Sequence, residues 1–239
     1  MTIRYYLSYS FIEKRTLEKS IRHILEKNST WMSGKRLLDI GCGSKPYKDF
    51  FEKYNIKYTG IDFKSFSDNR TFNLNEPDLY FDDFYSKDYR LSQFSDKSFD
   101  IVTAFQVLEH HEKPEVLFSE AARILKKKGF LLLTFPFIWE LHEEPNDFER
   151  FTHYKISKLC KVYGLEVKEI IKRGGVLSTI SQLVNISYHR KNIPYIYKNV
   201  FYLIFLYPFQ LISYIVDELG NHKSDTVFLG YTILIQKVK

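Results

Sequence analysis

The sequence predicts an α/β fold in which helices cover both faces of a doubly wound, mostly parallel sheet. Strand-like and helix-like segments alternate along the chain, which is the rhythm of βαβ units. The run Phe99–Phe105 is apolar apart from Asp100 and Thr103, as expected for a central strand that is buried on both faces. Two leucines and an isoleucine interrupted by Asp39, residues Leu37–Ile40, lead directly into Gly41 and Gly43, which indicates a sharp turn from a buried strand into a helix.

The first half of the chain is expected to supply three strands and two helical segments. Apolar residues at helical spacing between residues 5 and 27 predict one or two helices in an N-terminal segment, residues 1–33. Pro46 suits the first turn of the helix after the glycines, because the N–H that it lacks would have no helical partner there. Tyr58–Asp62 is expected to be the second strand, and Leu79–Phe81 a short third strand.

The second half continues the alternation. Pro114 can open a helix, and Gly129 and Gly164 can each end one. The expected elements are a helix over Pro114–Lys127, a strand over Phe130–Phe135, a helix over Ile156–Tyr163, and strands over Leu165–Ile171 and Thr226–Val238. We therefore expect a single domain of 239 residues, with a core formed by residues 34–173 and 222–239.

Residues 174–221 form an insert that this rhythm does not require. No Asp or Glu occurs from Ile170 to Val216, and residues 199–216 form an uncharged run of 18 residues, at the margin for a membrane span. Because the strands on either side belong to one sheet, both ends of the insert lie on the same side, which excludes a single crossing. Pro208 is expected to break the run and to leave two short helices lying on a surface.

There are three alternatives for the surface against which these helices pack. Against an anionic bilayer, Arg190, Lys191 and Lys198 would lie near the headgroups. The inserted rings would be those of Phe201, Phe205 and Phe209. The alternatives to this peripheral membrane contact are a cap over the protein's own core and a contact with a second subunit in a homodimer.

Composition argues against several classes of protein. The net charge of +6 is modest for a nucleic-acid binder, and no basic stripe with interleaved aromatic residues occurs in the core, so no nucleic-acid partner is expected. Cys42 and Cys160 are too few for a disulfide framework and are expected to be buried, reduced thiols. The charged N-terminus has no apolar signal region, which predicts a cytoplasmic protein, either free or at the inner membrane surface.

The glycine turn is the first candidate binding site. Gly41 and Gly43 lack Cβ atoms, so a ligand can approach the backbone, and the helix that follows offers free N–H groups to a carboxylate or a phosphate. Asp39 would repel a pyrophosphate but suits an ammonium group. Asp62 ends the second strand and can accept hydrogen bonds from both hydroxyls of a ribose. S-adenosylmethionine carries an ammonium group, a carboxylate and a ribose, and it is the predicted cofactor. A dinucleotide site would need a third glycine at Pro46.

Residues 37–47 resemble motif I of the class I S-adenosylmethionine-dependent methyltransferases, of the type 11 kind. Leu91–Pro136 extends the similarity, because its sequence is typical of the family's fourth and fifth strands. Phe135–Thr152 resembles bacterial methyltransferases associated with surface-glycan synthesis. The resemblance implies a Rossmann-like sheet of seven strands in the order 3-2-1-4-5-7-6, with strand 7 antiparallel. It also implies a ligand at the carboxyl ends of the strands.

The resemblance implies further roles near the cofactor. The N-terminal helical segment often forms a lid in this family, although a helix that simply covers the sheet edge is equally consistent. Related proteins have an acid near the adenine at the position of Asp82, a role that Asp83 or Asp88 could equally fill. Gln106 follows the fourth strand and is expected beside the methyl group. Some quinone-pathway O-methyltransferases bind a metal through Glu-x-x-Glu-His there, but Gln106 takes the first position here, so no metal is expected.

Methyl transfer to a hydroxyl needs a base, at least late in the transfer. The candidates are His142, His110, Glu109 and His111. His142 is the first choice, because it opens a charged loop after the fifth strand, at the end of the sheet where loops build sites. The acceptor pocket is expected to be shaped by Trp139, Asp147 and Arg150.

The sequence therefore predicts a methyltransferase that acts on an oxygen atom of a small-molecule, glycan or lipid-linked acceptor. One alternative is a nucleotide-binding oxidoreductase, against which the missing third glycine argues. The other is a catalytically inactive methyltransferase fold that serves as an interaction module at the membrane surface. The intact acids and glycines of the first motif argue against that alternative.

Overall fold

The computed structural model describes residues 8–63, 76–81, 90–220 and 225–238, and it contains a seven-stranded sheet in the order β3-β2-β1-β4-β5-β7-β6. Strand β7 is antiparallel to both of its neighbours, and the other paired strands are parallel. This order and these directions confirm the fold that the resemblance implied. The strands are β1 (Arg36–Ile40), β2 (Lys57–Phe63), β3 (Leu79–Phe81), β4 (Phe99–Phe105), β5 (Leu125–Pro136), β6 (Leu165–Arg173) and β7 (Gly230–Lys237).

Helices flank the sheet, and two of them form the insert between β6 and β7. In the described part of the chain they are α1 (Phe11–Met32), α2 (Lys48–Glu52), α3 (Pro114–Ile124), α4 (His153–Val162), α5 (Val176–His189) and α6 (Tyr195–Leu219). A single 3-10 turn, Leu108–His110, follows β4. The predicted rhythm of strands and helices is thus confirmed, and the division of the chain into a core and an insert stays a prediction.

Alternating side chains of the strands build two apolar layers, one on each face of the sheet. In β1, Leu38 and Ile40 belong to the layer that is shared with α3 and α4. Leu37 belongs to the opposite layer, which is shared with α1 and α2. Both layers are required because a parallel strand is buried on both faces. The carboxyl ends of the parallel strands remain as the place where side chains can meet a ligand.

Strand β5 begins at Leu125, earlier than the predicted Phe130, and α3 ends where β5 begins. The strand begins there because Leu125 pairs with Phe99 of β4, and Nζ of Lys126 adds hydrogen bonds to both carboxylate oxygens of Asp100 in β4, at 3.0 and 2.9 Å. The register of this strand pair shifts here. Gly129 is needed at the irregularity, since a Cβ would lie 2.9 Å from the carbonyl oxygen of Asp100.

The predicted break at Pro208 was wrong, because α6 continues through the proline. Residues Tyr202–Leu206 form a π-helical segment directly before the final α-helical part, Tyr207–Leu219, in which Pro208 lies at the start. A wider turn of this kind accommodates a proline that cannot donate to the preceding turn. The insert therefore consists of α5 and one long helix.

Helix α1 is fixed to the sheet by a buried arginine. Arg173 of β6 donates from Nη1 to Glu13 at 2.6 Å, and from Nη2 and Nε to the carbonyl oxygens of Phe135 and Tyr231 at 3.4 and 3.3 Å. These contacts place α1 across β5, β6 and β7, so the helix does cover the sheet. Its role as a lid over the cofactor stays a prediction.

Candidate active site

The turn after β1 contains two glycines, of which one has no space beside it for a side chain and the other does. Gly41 has φ 68°, and a Cβ there would lie 2.5 Å from Cγ2 of Val107, so only glycine fits. Gly43 has φ 53°, and a Cβ there would meet no atom of the described residues within 4 Å. The backbone at Gly43 therefore has space for a ligand, whereas Val107 fills the space beside Gly41, and cofactor binding by the two glycines stays a prediction.

Asp62, at the end of β2, is held against this turn. Its Oδ2 accepts a hydrogen bond from the backbone N–H of Gly43 at 2.6 Å, and its Oδ1 accepts one from the N–H of Phe63 at 2.8 Å. A carboxylate offers about four lone-pair positions, so these two bonds fix its orientation and are compatible with further donors. The structure thus brings Asp62 beside Gly43, and the predicted contact with the ribose stays a prediction.

Asp39 lies in the sheet, where it joins three strands. Its carboxylate accepts hydrogen bonds from the hydroxyl of Tyr58 in β2 at 2.5 Å and from that of Thr103 in β4 at 2.6 Å. Burial raises the pKa of Asp39 to about 7 against the effect of these hydrogen bonds. The two hydroxyls hold the end of β1 in place. The predicted contact of Asp39 with an ammonium group stays a prediction.

Lys45 and Asp78 form a second support of the turn, which the sequence analysis did not identify. Lys45 has φ 54° and is buried, and its Nζ lies 2.7 Å from Oδ1 of Asp78. The other oxygen of Asp78 accepts the backbone N–H of Gly60 at 2.7 Å. A left-handed backbone is unusual for a lysine. One signal in the sequence was available. Glycines occupy positions 41 and 43, and Lys45 stands at the next position of that alternation.

Gln106 turns the chain at the end of β4. It has φ 54°, its backbone N–H donates to the carbonyl oxygen of Thr134 at 2.9 Å, and its Nε2 donates to Oγ1 of Thr134 at 3.1 Å. Such a left-handed residue persists only where neighbouring structure fixes it, and these sites are often functional. Gln106 therefore anchors the turn between β4 and the 3-10 segment, at the same end of the sheet as Gly43.

Glu109 is the most unusual residue of the site. It is fully buried, and neither of its carboxylate oxygens has a hydrogen-bond partner among the described residues. Burial raises its pKa to about 8, so at pH 7 the side chain is a neutral carboxylic acid in most molecules. Orphaned buried polar atoms are rare in proteins and call for a proton, a ligand or an ion.

His142 is oriented by Asp147, in the loop after β5. Its Nδ1 lies 3.1 Å from Oδ2 of Asp147 and 3.3 Å from the carbonyl oxygen of Glu140. Because both neighbours are acceptors, Nδ1 carries the proton, and Nε2 has the free lone pair. That Nε2 faces Glu109 Oε1 at 4.0 Å. A histidine held in this tautomer by a carboxylate is arranged as a general base.

Asp147 is kept ionised by its partners. Its side chain is buried, yet Arg150 donates to it in a bidentate pair at 2.5 and 2.7 Å, and the backbone N–H of His142 donates at 3.0 Å. Burial opposes ionisation, but these hydrogen bonds outweigh it and lower the pKa of Asp147 to about 2. Asp147 and Arg150 were predicted to contact the acceptor. The structure shows that they orient His142, and their contact with an acceptor stays a prediction.

His110 faces the same oxygen of Glu109 as His142 does. Its Nδ1 donates to the carbonyl oxygen of Asn146 at 2.7 Å, and its Nε2 lies 3.9 Å from Glu109 Oε1. Burial lowers the pKa of His110, which favours the neutral imidazole. The rings of His110 and His142 meet edge to face, with their centroids 4.8 Å apart.

Glu109, His110 and His142 form a set of possible cation ligands, which the sequence analysis, expecting no metal, did not assemble. Their ligand atoms all lie within 4.8 Å of one another. Two atoms bonded to one cation at about 2.1 Å are about 3.0–3.4 Å apart. The distances of 3.9 and 4.0 Å from Glu109 Oε1 to the two Nε2 atoms are wider. A cation would therefore draw these side chains together, whereas a proton requires no such contraction.

The remaining predicted residues have different positions. Trp139 packs with Phe11, Ile12 and Leu229 in a small cluster between α1 and the loops, so its place in an acceptor pocket stays a prediction. His111 is buried, and burial lowers its pKa to about 4. The candidates Asp82, Asp83 and Asp88 lie outside the described residues. Both cysteines are free and buried, as expected.

The sequence matches known families over part of its length. Residues 38–133 match the family described as methyltransferase domain. The chain is 30% identical to the ubiquinone biosynthesis O-methyltransferase of Nitrosococcus oceani over 104 residues, covering 43% of this chain and 44% of that protein. It is 29% identical to the protein of the same name from Rhodopseudomonas palustris over 132 residues, covering 53% of this chain and 49% of that protein. The match therefore covers less than half of either relative.

Solved structures share the fold over nearly the whole chain. A SAM dependent methyltransferase from Archaeoglobus fulgidus aligns with a TM-score of 0.55 and 16% identity, covering 92% of this chain and 94% of that one. The [4+2]-cyclase SpnF aligns with a TM-score of 0.53 and 17% identity, covering 91% and 80%. Because these two proteins differ in the activity that their names state, the likeness shows the fold alone.

Proposed function

We propose that this chain, a member of the class I S-adenosylmethionine-dependent methyltransferase family by its fold and by residues 38–133, transfers a methyl group to an oxygen atom of a small acceptor. The observation that carries the proposal is the pairing of His142 with Asp147 at the end of the sheet where the motif I turn lies. Methylation of a hydroxyl requires a base that is held in one tautomer. Methylation of an amine that is already basic does not require one.

The residues around Gly43 fit S-adenosylmethionine. Gly43 leaves space beside the backbone, and the carboxylate of Asp62 is fixed next to it as an acceptor for hydroxyl groups. When bound, the cofactor supplies an electrophilic sulfonium methyl group, so the protein need not activate the methyl. The task of the chain is to hold the acceptor oxygen in line with that methyl and to remove its proton.

His142 is assigned the proton-accepting role. Its Nε2 takes the hydroxyl proton as the oxygen forms its new bond, and the carboxylate of Asp147 stabilises the imidazolium that results. His142 is preferred to His110 because 24% of its side chain is exposed, against 8% for His110, so an acceptor can reach it. Glu109 remains mostly protonated at neutral pH and therefore adds little negative charge beside the two imidazoles.

A divalent cation on Glu109, His110 and His142 is a second role for the same three side chains. The orphaned oxygens of Glu109 favour it, and the wide distances count against it. Dialysis against a chelator separates the two roles. Turnover that survives the chelator supports the proton role, whereas turnover that is lost and then restored by an added divalent cation assigns the residues to a metal.

The proposal is tested with a labelled methyl donor. The purified chain is incubated with S-adenosylmethionine and a cell extract, and both S-adenosylhomocysteine and labelled products are measured. We expect release of S-adenosylhomocysteine and a product that carries the label on oxygen. Calorimetric titration with S-adenosylmethionine and with NAD is the control. Binding of NAD alone would identify an oxidoreductase, and binding of S-adenosylmethionine without any transfer would identify an inactive module.

A further inference from the structure

The insert presents an apolar surface to the outside. Helices α5 and α6 pack against each other, and many of their large apolar side chains are exposed. Only 17% of the most apolar 18-residue window of α6 is buried, and among the described residues this is the one helix long and apolar enough to cross a membrane. We call this surface the outer face and represent it by Ile180, Val184, Ile196, Ile204, Phe205 and Ile212.

The inner side of the same two helices is polar. Gln182 of α5 and Gln210 of α6 are completely buried, and both donate hydrogen bonds to the carbonyl oxygen of Tyr9, at 2.8 and 3.0 Å. Asp217 accepts the backbone N–H of Ser178 at 2.7 Å. A surface helix of a protein in water normally turns its apolar stripe inward and its polar side outward. Here the arrangement is inverted, which indicates that the medium outside the insert is apolar.

The chain path decides how the insert can meet a bilayer. At about 1.5 Å per residue, the 25 residues of α6 extend about 38 Å, enough to cross the hydrocarbon core. However, the insert leaves the sheet at Arg173 and returns at Gly230, and these two residues are paired neighbours in β6 and β7. A hairpin tied at both ends to one point of the sheet cannot cross once. It can lie in the interface with its apolar side in the lipid.

Charge favours an anionic bilayer over a second copy of the chain. No acidic residue occurs from Ile170 to Val216, while Lys191 and Lys198 flank the start of α6. A symmetric dimer through the outer face would offer these cations no acidic partner from the same stretch of the second copy, because that stretch contains none. Anionic headgroups complement them. The exposed rings of Tyr195 and Tyr197 suit the boundary between headgroups and acyl chains.

The connection between α5 and α6 contacts the loop that carries His142. Arg190, in the connection between α5 and α6, contacts Glu140 at 2.5 Å and donates to the carbonyl oxygen of Leu141 at 2.6 Å. Leu141 and Phe148 of the same loop are themselves exposed. A membrane that receives the outer face would therefore adjoin the acceptor side of the active site.

We propose that the outer face of α5 and α6 docks on an anionic lipid bilayer without crossing it. If the proposed O-methyltransferase function is correct, on which this second part rests, the acceptor is an amphiphile whose hydroxyl reaches His142 while its apolar part stays in the membrane. Membrane docking itself does not depend on catalysis and can be measured separately.

Co-sedimentation with vesicles tests the proposal. The vesicles are phosphatidylcholine alone, and phosphatidylcholine with phosphatidylglycerol, each at low and high salt. We expect the wild-type chain to bind the anionic vesicles more tightly, and salt to weaken the difference. The triple variant Ile204→Ser, Phe205→Ser, Ile212→Ser should bind at least tenfold more weakly. The control is Tyr154→Ser, Val162→Ser on α4, which removes two apolar side chains that are even more exposed than those of the triple variant and should bind as the wild type does.

Each outcome decides the matter. A wild-type chain that stays in the supernatant with both vesicles overturns the proposal, and so does a triple variant that binds as tightly as the control. A wild-type dimer that becomes a monomer in the triple variant, with no vesicle binding, assigns the outer face to a second copy. Cofactor affinity, measured by calorimetry on the same samples, should be equal in all variants and reports that they are folded.

Vesicle binding without any methyl transfer would overturn the enzymatic function and leave docking standing. Label recovered in the organic phase after incubation with membranes supports the amphiphilic acceptor, and label recovered only in water excludes it.

Discussion

His142 and His110 face the same carboxyl group but are oriented by different partners. The Nδ1 of His142 lies against the ionised Asp147, which can stabilise a positive imidazolium, whereas the Nδ1 of His110 donates to a neutral carbonyl. We therefore expect His142→Ala to lower turnover roughly 10²–10⁴-fold and to leave the affinity for S-adenosylmethionine nearly unchanged. His110→Ala should lower turnover much less. Steady-state kinetics and calorimetry on both variants measure this, and the reverse order of losses would move the base to His110.

Glu109 makes the free energy of unfolding depend on pH. Its pKa is about 8 in the folded chain and near 4.5 in the unfolded one, so the folded state binds more protons between these two values. Stability from this group is complete below about pH 4.5 and is lost as the pH rises towards 8, by at most about 1.4 kcal/mol per pH unit. In Glu109→Gln this slope should be smaller. Urea unfolding at several pH values is the measurement, and Asp39, whose pKa is raised to about 7, should leave a residual slope.

Most residues of the site were predictable from the sequence, but the contacts between them were not. Asp62, Gly43 and His142 were identified because a strand end, a glycine turn and a charged loop each leave a local pattern. That Asp147 orients His142 depends on how the loop after β5 folds back on itself. A residue type or spacing does not encode that path. The pair of Lys45 and Asp78 was missed for the same reason, since its members are 33 positions apart and meet only across β2.

At the scale of elements, the attachment of α1 to the sheet depends on Arg173. Its side chain is 1% exposed and its partner Glu13 13% exposed, so the pair is largely shielded from water. We expect Arg173→Met to lower the free energy of unfolding by about 3–5 kcal/mol, because a buried carboxylate and two carbonyl oxygens lose their donor. Lys172→Met is the control, since the neighbouring Lys172 pairs with the exposed Asp225 and should contribute less than about 1 kcal/mol.

Denaturant unfolding of both variants decides the comparison. Equal losses of stability would show that the buried pair does not hold α1. The same geometry explains the glycine at position 230, where a Cβ would lie 2.4 Å from Nη2 of Arg173.

Elements were predictable where one local pattern dominates. The bounds of β3 and β4 were predicted as Leu79–Phe81 and Phe99–Phe105 and are confirmed, because apolar residues flanked by polar ones define them. The start of β5 was wrong because pairing of Leu125 with Phe99 of the neighbouring strand overrides the helical pattern. The predicted break at Pro208 was wrong because a π-helical segment can accommodate a proline within a continuous helix. Whether such a segment forms depends on packing along the whole of α6.

At the scale of the whole molecule, the two halves of the active site come from opposite sides of β1. The turn after β1 and the end of β2 form the proposed cofactor half, and the segments after β4 and β5 form the proposed acceptor half. The outer face belongs to neither half, since it lies on the insert between β6 and β7. Binding of the cofactor should therefore stabilise the fold without involving the insert.

This separation predicts a pattern of thermal stabilisation. A ligand at a hundredfold excess over its Kd stabilises the folded state by about 2.7 kcal/mol, which for a domain of this size raises the Tm by about 5–10 °C. We expect this shift with S-adenosylmethionine in the wild type and, equally, in the triple variant of the outer face.

Asp62→Ala loses hydrogen bonds to a charged acceptor, which costs about 1.5–3 kcal/mol. At the same ligand concentration its shift should be about half that of the wild type or less, and calorimetry should give an affinity at least tenfold lower. An unchanged shift in Asp62→Ala would place the cofactor elsewhere, and a smaller shift in the outer-face variant would show that the insert contributes to cofactor binding.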